Sequence, residues 1–344
     1  MSLHLHLRPY RLRFKEEART SRGSYFTHDV WYVHLTSDEE SGREGIGECA
    51  PLPDLSCDAL PGQYEEKLRA ACRHIEKTGH IDKELLRPYP SMLFGLETAW
   101  LHFQKGSTRL YDTAFSRGEA GITINGLVWM GDFDTMMQRL EAKLRAGFQC
   151  VKLKIGAISF EQELDLIRHI RRRFSKTDVE LRTDANGAFK PEEALTKLER
   201  LSKFDIHSIE QPIRAGQTAA MARLCRESPI DIALDEELIG VNGQQAKREL
   251  LKTIRPQYII IKPSLHGALS GADEWINEAR QLGIRYWMTS ALESNVGLNA
   301  IAQWTAHHFH DAIPLPQGLG TGQLYTNNIP SPLQIVGDRL WYKE

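Results

Sequence analysis

Residues 151–154 read VKLK, 179–184 VELRTD, 206–210 IHSIE, 232–235 IALD and 258–262 YIIIK. Each is a short apolar run that closes on charge: Lys152 and Lys154, Asp184, Glu210, Asp235 and Lys262. From Lys154 onward these charges are 30, 26, 25 and 27 residues apart. A short strand plus a helix fills about that length, so the ladder reads as a repeated strand–helix unit with right-handed crossovers. A closed β/α barrel builds its reactive site at the C-terminal ends of its strands, where these charges stand.

The rhythm extends in both directions. ITINGLVWM at 122–130 and YWMTSA at 286–291 are further strand candidates. Helical spacing falls between the strands, over 134–146, 160–174, 191–201, 218–225, 243–251, 270–282 and 296–307. Pro191 opens one helix, where its missing N–H costs nothing. Gly147 and Gly283 follow two others, where a left-handed cap is wanted. Seven units with no Gly-rich phosphate loop after the first strand favour a closed barrel over a doubly wound sheet. An eighth strand is faintly marked near 315–320.

The first third differs. LHLHLRPYRLRF and DVWYVHLTS alternate with period two and read as an antiparallel meander, with REGIGECAPLP as a turn-rich extension. Helical spacing over 63–77 and 92–104 adds a helical layer. The expected fold class is therefore α/β. A modified TIM barrel, (β/α)7β, spans 121–322 under an N-terminal α+β capping domain at 1–120. A tail at 323–344, ending in LQIVGDRLWYKE, returns as a hairpin to complete the cap.

The 344 residues carry 43 basic and 45 acidic side chains, a formal net charge of −2, with no long block of one sign. That balance excludes a nucleic-acid or anionic-membrane surface as the main partner. No apolar run reaches the ~20 residues that span a bilayer, and the alternating, charged N-terminus is a strand and not a signal peptide. Five cysteines, odd in number and without a CxxC pair, fit reduced thiols and a cytoplasmic location. Oligomeric state is not legible.

Asp184, Glu210 and Asp235 close three consecutive strands, so in a barrel their carboxylates are neighbours. A single Asp after a strand is commonly a helix N-cap. Three acids in succession repel one another unless a cation sits among them. Their all-oxygen ligand set suits Mg²⁺ or Mn²⁺ rather than Zn²⁺. Asn186, Gln211 and Glu236 follow and could hydrogen-bond to that set. Lys152 and Lys154 are two apart on one strand and share a face. Pressed together, and beside a metal, the pair should lower each other's pKa, as a neutral lysine base requires. Lys262 arrives four strands later, across the mouth.

The KxK pair, DANGAF, IEQP, LDEE and IIKPS together resemble the enolase superfamily over nearly the whole chain, capping domain included. Within it the lysine on each side of the site looks like the muconate-lactonizing-enzyme subgroup. INGLVWMG, SMLFGLETAW, SALESNVGLNAIAQWTA and PQGLGTGQLY are most similar to its o-succinylbenzoate synthase family, of menaquinone biosynthesis. The resemblance implies that Asp184, Glu210 and Asp235 hold Mg²⁺ on the carboxylate of a small-molecule substrate. It implies that Lys154 takes the proton α to that carboxylate, and that loss of hydroxide on the same face completes a dehydration. Lys262 is then a cation on the opposite face, and Lys152 holds the carboxylate or tunes Lys154. Arg182, Asn186, Ser264, Ser290, Glu293, Gly320 and Thr321 are the expected substrate contacts. Arg22, Leu55 and Ser56 mark the cap loops expected to set specificity.

Two other readings stay open at this point. A racemase of N-acylated amino acids in the same subgroup would use the two lysines on opposite faces. A Schiff-base aldolase or lyase would use Lys262 as nucleophile but has no need of three acids. Dipeptide epimerases carry a DxD motif at the eighth strand, and QGLGTGQ lacks it.

Overall fold

A computed structural model of the chain describes residues 2–20 and 23–343. The first strands, β1 (Leu3–Thr20) and β2 (Gly23–Ser37), form a long antiparallel pair, and β3 (Gly45–Cys49) adds antiparallel to β2. IGEC, read as part of a turn-rich extension, is thus the third strand of the meander. Its alternating Leu3, Leu7, Val33, Leu35 and Cys49 face α1 (Tyr64–Thr78), α2 (Lys83–Leu86) and α3 (Pro90–Lys105) in one core.

Glycines set how closely β3 and α3 approach. A Cβ on Gly47 would lie 1.9 Å from the Gly95 carbonyl oxygen and 2.6 Å from the Ala99 nitrogen. Backbone cannot retreat as a flexible side chain can, so Gly47→Ala is expected to cost about 3 kcal/mol through forced separation of strand and helix. Urea denaturation checks this, and an unchanged midpoint would remove the packing claim.

ITINGLVWM, expected as one strand, divides. Its start, β4 (Ile122–Thr123), leaves the barrel to pair elsewhere, while β5 (Gly126–Val128) is the first barrel strand. The chain continues through α4 (Phe133–Arg145), β6 (Cys150–Lys154), α5 (Phe160–Arg173), β7 (Glu180–Asp184), α6 (Pro191–Leu201), β8 (Ser208–Glu210), α7 (Thr218–Glu227) and β9 (Asp231–Leu234). Then follow α8 (Gln244–Ile254), β10 (Tyr258–Ile261), α9 (Ala268–Gln281), β11 (Arg285–Met288) and α10 (Asn295–His308). Strands β5 to β11 pair in sequence order as one parallel sheet. Residues 317–318 close the ring with two parallel bridges, Ile124 to Gln317 and Thr289 to Gly318. The weak eighth strand is therefore real but reduced to a seam, and the fold is (β/α)7β.

Local signals agree with these elements. Asp132 caps α4 by accepting from the Thr135 N–H at 2.8 Å, and Ser159 with Gln162 forms a capping box on α5. Gly147 and Gly283 take φ of +85° and +70° just past their helices. Barrel strands are apolar on both faces because helices cover the outside and side chains fill the inside.

The tail joins both parts. The bridge between Phe14 and Tyr325 ties it to β1, while β12 (Leu333–Val336) and β13 (Arg339–Tyr342) form a hairpin that pairs with β4. Among the described residues, no helix is long and apolar enough to cross a membrane.

One carboxylate bolts cap to barrel. Glu48 on β3 is fully buried and accepts from the N–H groups of Ser294 and Gly297, at 2.7 and 2.8 Å, and from the Ser294 hydroxyl at 2.6 Å. These are free donors at the N-terminus of α10, where a negative charge is favoured. Burial nonetheless pushes the Glu48 carboxyl from 4.5 up to about 7, against the pull of Ser294 and Gly297. The folded chain then keeps a proton here that the unfolded chain has released. Stability from this group is present below about pH 4.5 and falls as pH rises through 7. Glu48→Gln should flatten that fall in chemical denaturation across the window. An identical slope in wild type and variant would show that Glu48 is ionised throughout.

Candidate active site

Register assembles the site. Lys154 on β6 pairs with Asp184 on β7, and Asp184 pairs with Glu210 on β8, so three side chains form one row across three strands. Asp235 follows β9 and Lys262 follows β10. Each sits at a C-terminal strand end, and Lys152 lies two residues below Lys154 on the same face. All six side chains are buried or nearly so.

The lysines thread the acids. Lys152 Nζ donates to Glu210 Oε2 at 2.7 Å and to Asp184 Oδ2 at 3.1 Å. Lys154 Nζ donates to the same Asp184 oxygen at 2.9 Å and to Asn186 Oδ1 at 2.7 Å. Lys262 Nζ meets Asp235 Oδ2 at 2.5 Å. Asn186 Nδ2 in turn reaches Glu236 at 3.0 Å, and Gln211 holds the Asp235 N–H and the Glu237 carboxylate. Asn186 and Gln211 take φ of +44° and +36°. Side-chain-bearing residues rarely adopt this strained conformation, which collects where surrounding bonds over-determine a site.

Charge sorts the lysines differently from expectation. Burial opposes the Lys152 charge, but the Glu210 and Asp184 carboxylates outweigh it and hold Lys152 above the usual lysine range. The two neighbours therefore do not lower each other equally. Lys154 is pushed down by burial; Asp184 resists this, and the charges of Lys152 and Lys262 add to it. Burial also opposes Lys262, which Asp235 keeps cationic. Burial, with Asp184 and Asp235 adding, pushes Glu210 up to about 8 against Lys152. Asp184 goes well below its ordinary value, because the lysine charges overcome its burial.

Among the described residues, no three acidic, His or Cys side chains already stand in metal-ligating geometry. The lysines draw Asp184 and Glu210 to one point and Asp235 to another. The donor set still suits a hard divalent ion. Glu210 Oε1 and Asp235 Oδ1 are buried with no hydrogen-bond partner among the described residues, and a buried carboxylate oxygen without a donor calls for a cation.

A cavity of about 570 Å³ opens over this row. Lys152, Lys154, Asn186, Lys262, Ser290, Gly320 and Thr321 line it from the barrel, and Leu55 lines it from the cap. Four other expected contacts, all among the described residues, do not line it. Arg182 is wholly buried, donates to Glu180 Oε1 at 2.7 Å and the Pro316 carbonyl at 2.9 Å, and lies 4.4 Å from the Trp287 ring centre. It plugs the barrel interior below the site. Ser264 and Ser290 both donate to Glu293, which the Ala291 N–H also reaches at 2.8 Å. Ser264 and Glu293 thus brace the loop that carries Ser290 and are absent from the wall. Ser56 is spent on its own turn, accepting from the Leu52 N–H at 2.9 Å. Arg22 lies outside the described residues.

The wall also includes Asn125, Leu127 and Trp129, with Leu52, Leu265 and Leu292. Trp129 stands 5.6 Å from Lys154 Nζ, measured to the ring centre. Asn125, Leu127 and Trp129 alternate along ITINGLVWM as Lys152 and Lys154 do on β6. The same parity argument, applied to that run, identifies them.

A (β/α)7β barrel with acids at three successive strand ends and lysines beside them, under an α+β cap, has the build of a barrel enzyme. Residues 135–340 match the family described as Enolase C-terminal domain-like, and the chain belongs to that family. A curated o-succinylbenzoate synthase from Desulfotalea psychrophila (strain LSv54 / DSM 12343) is 45% identical over 361 aligned residues, 96% of each chain. The crystal structure of MenC from Desulfotalea psychrophila LSv54 superposes with a TM-score of 0.84 at 41% identity, covering 99% of this chain and 100% of that one. A dipeptide epimerase from Enterococcus faecalis V583, complexed with Mg and L-Leu-L-Tyr, gives a TM-score of 0.85 at 19% identity over 100% and 98% of the two chains, and shares the fold.

Proposed function

We infer that the chain is an o-succinylbenzoate synthase, a hydro-lyase that dehydrates 2-succinyl-6-hydroxy-2,4-cyclohexadiene-1-carboxylate in menaquinone biosynthesis. The observation that carries this is the 45% identity to a curated o-succinylbenzoate synthase across 96% of both chains, joined to a lysine pair facing three acids.

The family implies a divalent metal; Mg²⁺ is our assignment, and Asp184, Glu210 and Asp235 would hold it. When bound, it supplies positive charge that makes the proton α to a carboxylate easier to remove. Lys154 is the base: it is the one of the three site lysines whose pKa is pushed down, and it lies on the cavity wall. Asn186 aims its amino group by accepting at 2.7 Å. Lys262 remains cationic beside Asp235 and offsets negative charge on the far face of the substrate. Departure of hydroxide from the neighbouring carbon then yields the aromatic ring. Leu52, Leu55, Leu265 and Leu292 surround the remainder of the substrate and exclude water.

The ion pair with Asp235 disfavours the aldolase reading, since a Schiff-base nucleophile must be uncharged. The free cysteines support a cytoplasmic location. Purified protein with Mg²⁺ should form o-succinylbenzoate with a kcat/KM at least about tenfold above that for racemising N-succinyl amino acids. Preference for racemisation would transfer the chain to the racemase reading.

A further inference from the structure

We propose that His28, on β2 of the cap, is a positioning residue for this dehydration: its imidazole ties the cap loop at Pro51 to the barrel loop at Leu292 and so sets the apolar wall around the substrate's distal arm. The inference rests on the synthase reading above. His28 is 2% exposed. Its Nε2 stands 3.1 Å from the Pro51 carbonyl oxygen, and its Nδ1 stands 3.1 Å from the Leu292 carbonyl oxygen. Tyr325 from the tail donates to that same Leu292 oxygen at 2.5 Å and lies 3.4 Å from Nδ1.

Both carbonyls can only accept. A neutral imidazole carries one N–H and satisfies one of them; an imidazolium satisfies both. Leu292 has φ of +68°, a strained conformation for a side-chain-bearing residue, and its carbonyl is held by Tyr325 and, when Nδ1 is protonated, by His28. The consequence reaches the substrate because Leu52 and Leu55, just past Pro51, and Ala291 and Leu292 all line the cavity.

The titratable groups facing the ring are Glu293 on the barrel loop, Asp29 beside it on β2 and Tyr325 from the tail; from the Pro51 loop the facing group is a backbone carbonyl. Burial pushes the His28 pKa below 6.5, while the two carbonyls, Glu293 and Asp29 oppose that. The doubly donating form therefore accumulates as pH falls below that value, and the wall tightens.

The test is steady-state dehydration by the Mg²⁺-loaded full chain, wild type against His28→Gln, across mildly acid to neutral pH. A glutamine amide has one donor nitrogen where the imidazole has two, so it cannot reach both carbonyls, and it does not titrate. At the acid end of the range, where the imidazolium holds both carbonyls, we expect the variant's KM to be about tenfold above wild type, the cost of one good hydrogen bond, with kcat within about threefold. Wild-type KM should fall with falling pH, and the variant's should not. An unchanged KM with the wild-type pH profile overturns the proposal, as does a loss confined to kcat. If His28→Gln does not fold, Tyr325→Phe, which removes the second hold on Leu292, should raise KM about threefold, and no change there is equally fatal. If the wild type forms no o-succinylbenzoate, the synthase reading fails by itself. Amide exchange at 290–294 then decides the tie: lost protection in His28→Gln supports it, and retained protection refutes it.

Discussion

Lys154→Ala is expected to lower kcat for o-succinylbenzoate formation about 10⁴-fold, the upper end of what a positioned base contributes. The reason is specific to this lysine. Lys152 is tied to two carboxylates and Lys262 to one at 2.5 Å. Those carboxylates hold both above the usual lysine range, whereas burial pushes Lys154 down although Asp184 also reaches it, and a bound divalent ion would supply charge but no base. KM and Mg²⁺ affinity should change little, because Asp184 keeps Lys152 as a partner and the three acids we assign to the metal stay in place. A drop in kcat with KM preserved is the signature of an interaction made in the transition state. Circular dichroism should show the wild-type fold. Turnover near the wild-type rate would remove Lys154 as base.

Asp235→Asn is expected to weaken Mg²⁺ binding about 100-fold, read by calorimetry, before any effect on the chemistry is considered. An amide offers one neutral oxygen where the carboxylate offers two charged ones, and Mg²⁺ depends on charged oxygen ligands. The buried Oδ1 of Asp235, like Glu210 Oε1, has no hydrogen-bond partner among the described residues and calls for a cation. The change also strips Lys262 of its counter-ion, so an ammonium is left buried with weaker compensation. Added Mg²⁺ should raise the wild-type melting temperature and raise the variant's much less, by mass action. Equal affinity in the two proteins would show that Asp235 is no ligand.

The barrel was legible because each of its units repeats one physical solution. An apolar strand, a charge at its end and a capped helix recur every 25–30 residues. The row of lysines and acids was legible for the same reason: strand parity states which face a side chain takes. Parity does not state depth or direction. Lys152 and Arg182 are register partners and both turn inward, yet Lys152 reaches up to Asp184 and Glu210 while Arg182 reaches down to Glu180 and Pro316. Nothing in the residue types distinguishes the two paths. Two of the expected loop contacts, Ser264 and Glu293, lie off the wall on another ground. Ser264 and Ser290 both donate to Glu293, so polar groups that looked available for substrate hold the loop that carries Ser290. The cap's contribution, from Pro51 to Leu55 and at His28, depends on loops brought together from distant parts of the chain, which no local pattern encodes. The split of ITINGLVWM has a similar cause, because β4 is claimed by a strand more than 200 residues downstream.

The most direct measurement is the formation of o-succinylbenzoate, followed spectroscopically, by purified protein before and after EDTA and again after excess Mg²⁺. Acids and lysines acting together around a divalent ion predict product at first, none after EDTA, and recovery with Mg²⁺. Undiminished product formation by protein shown to be metal-free, or borohydride trapping of substrate on Lys262, would contradict it.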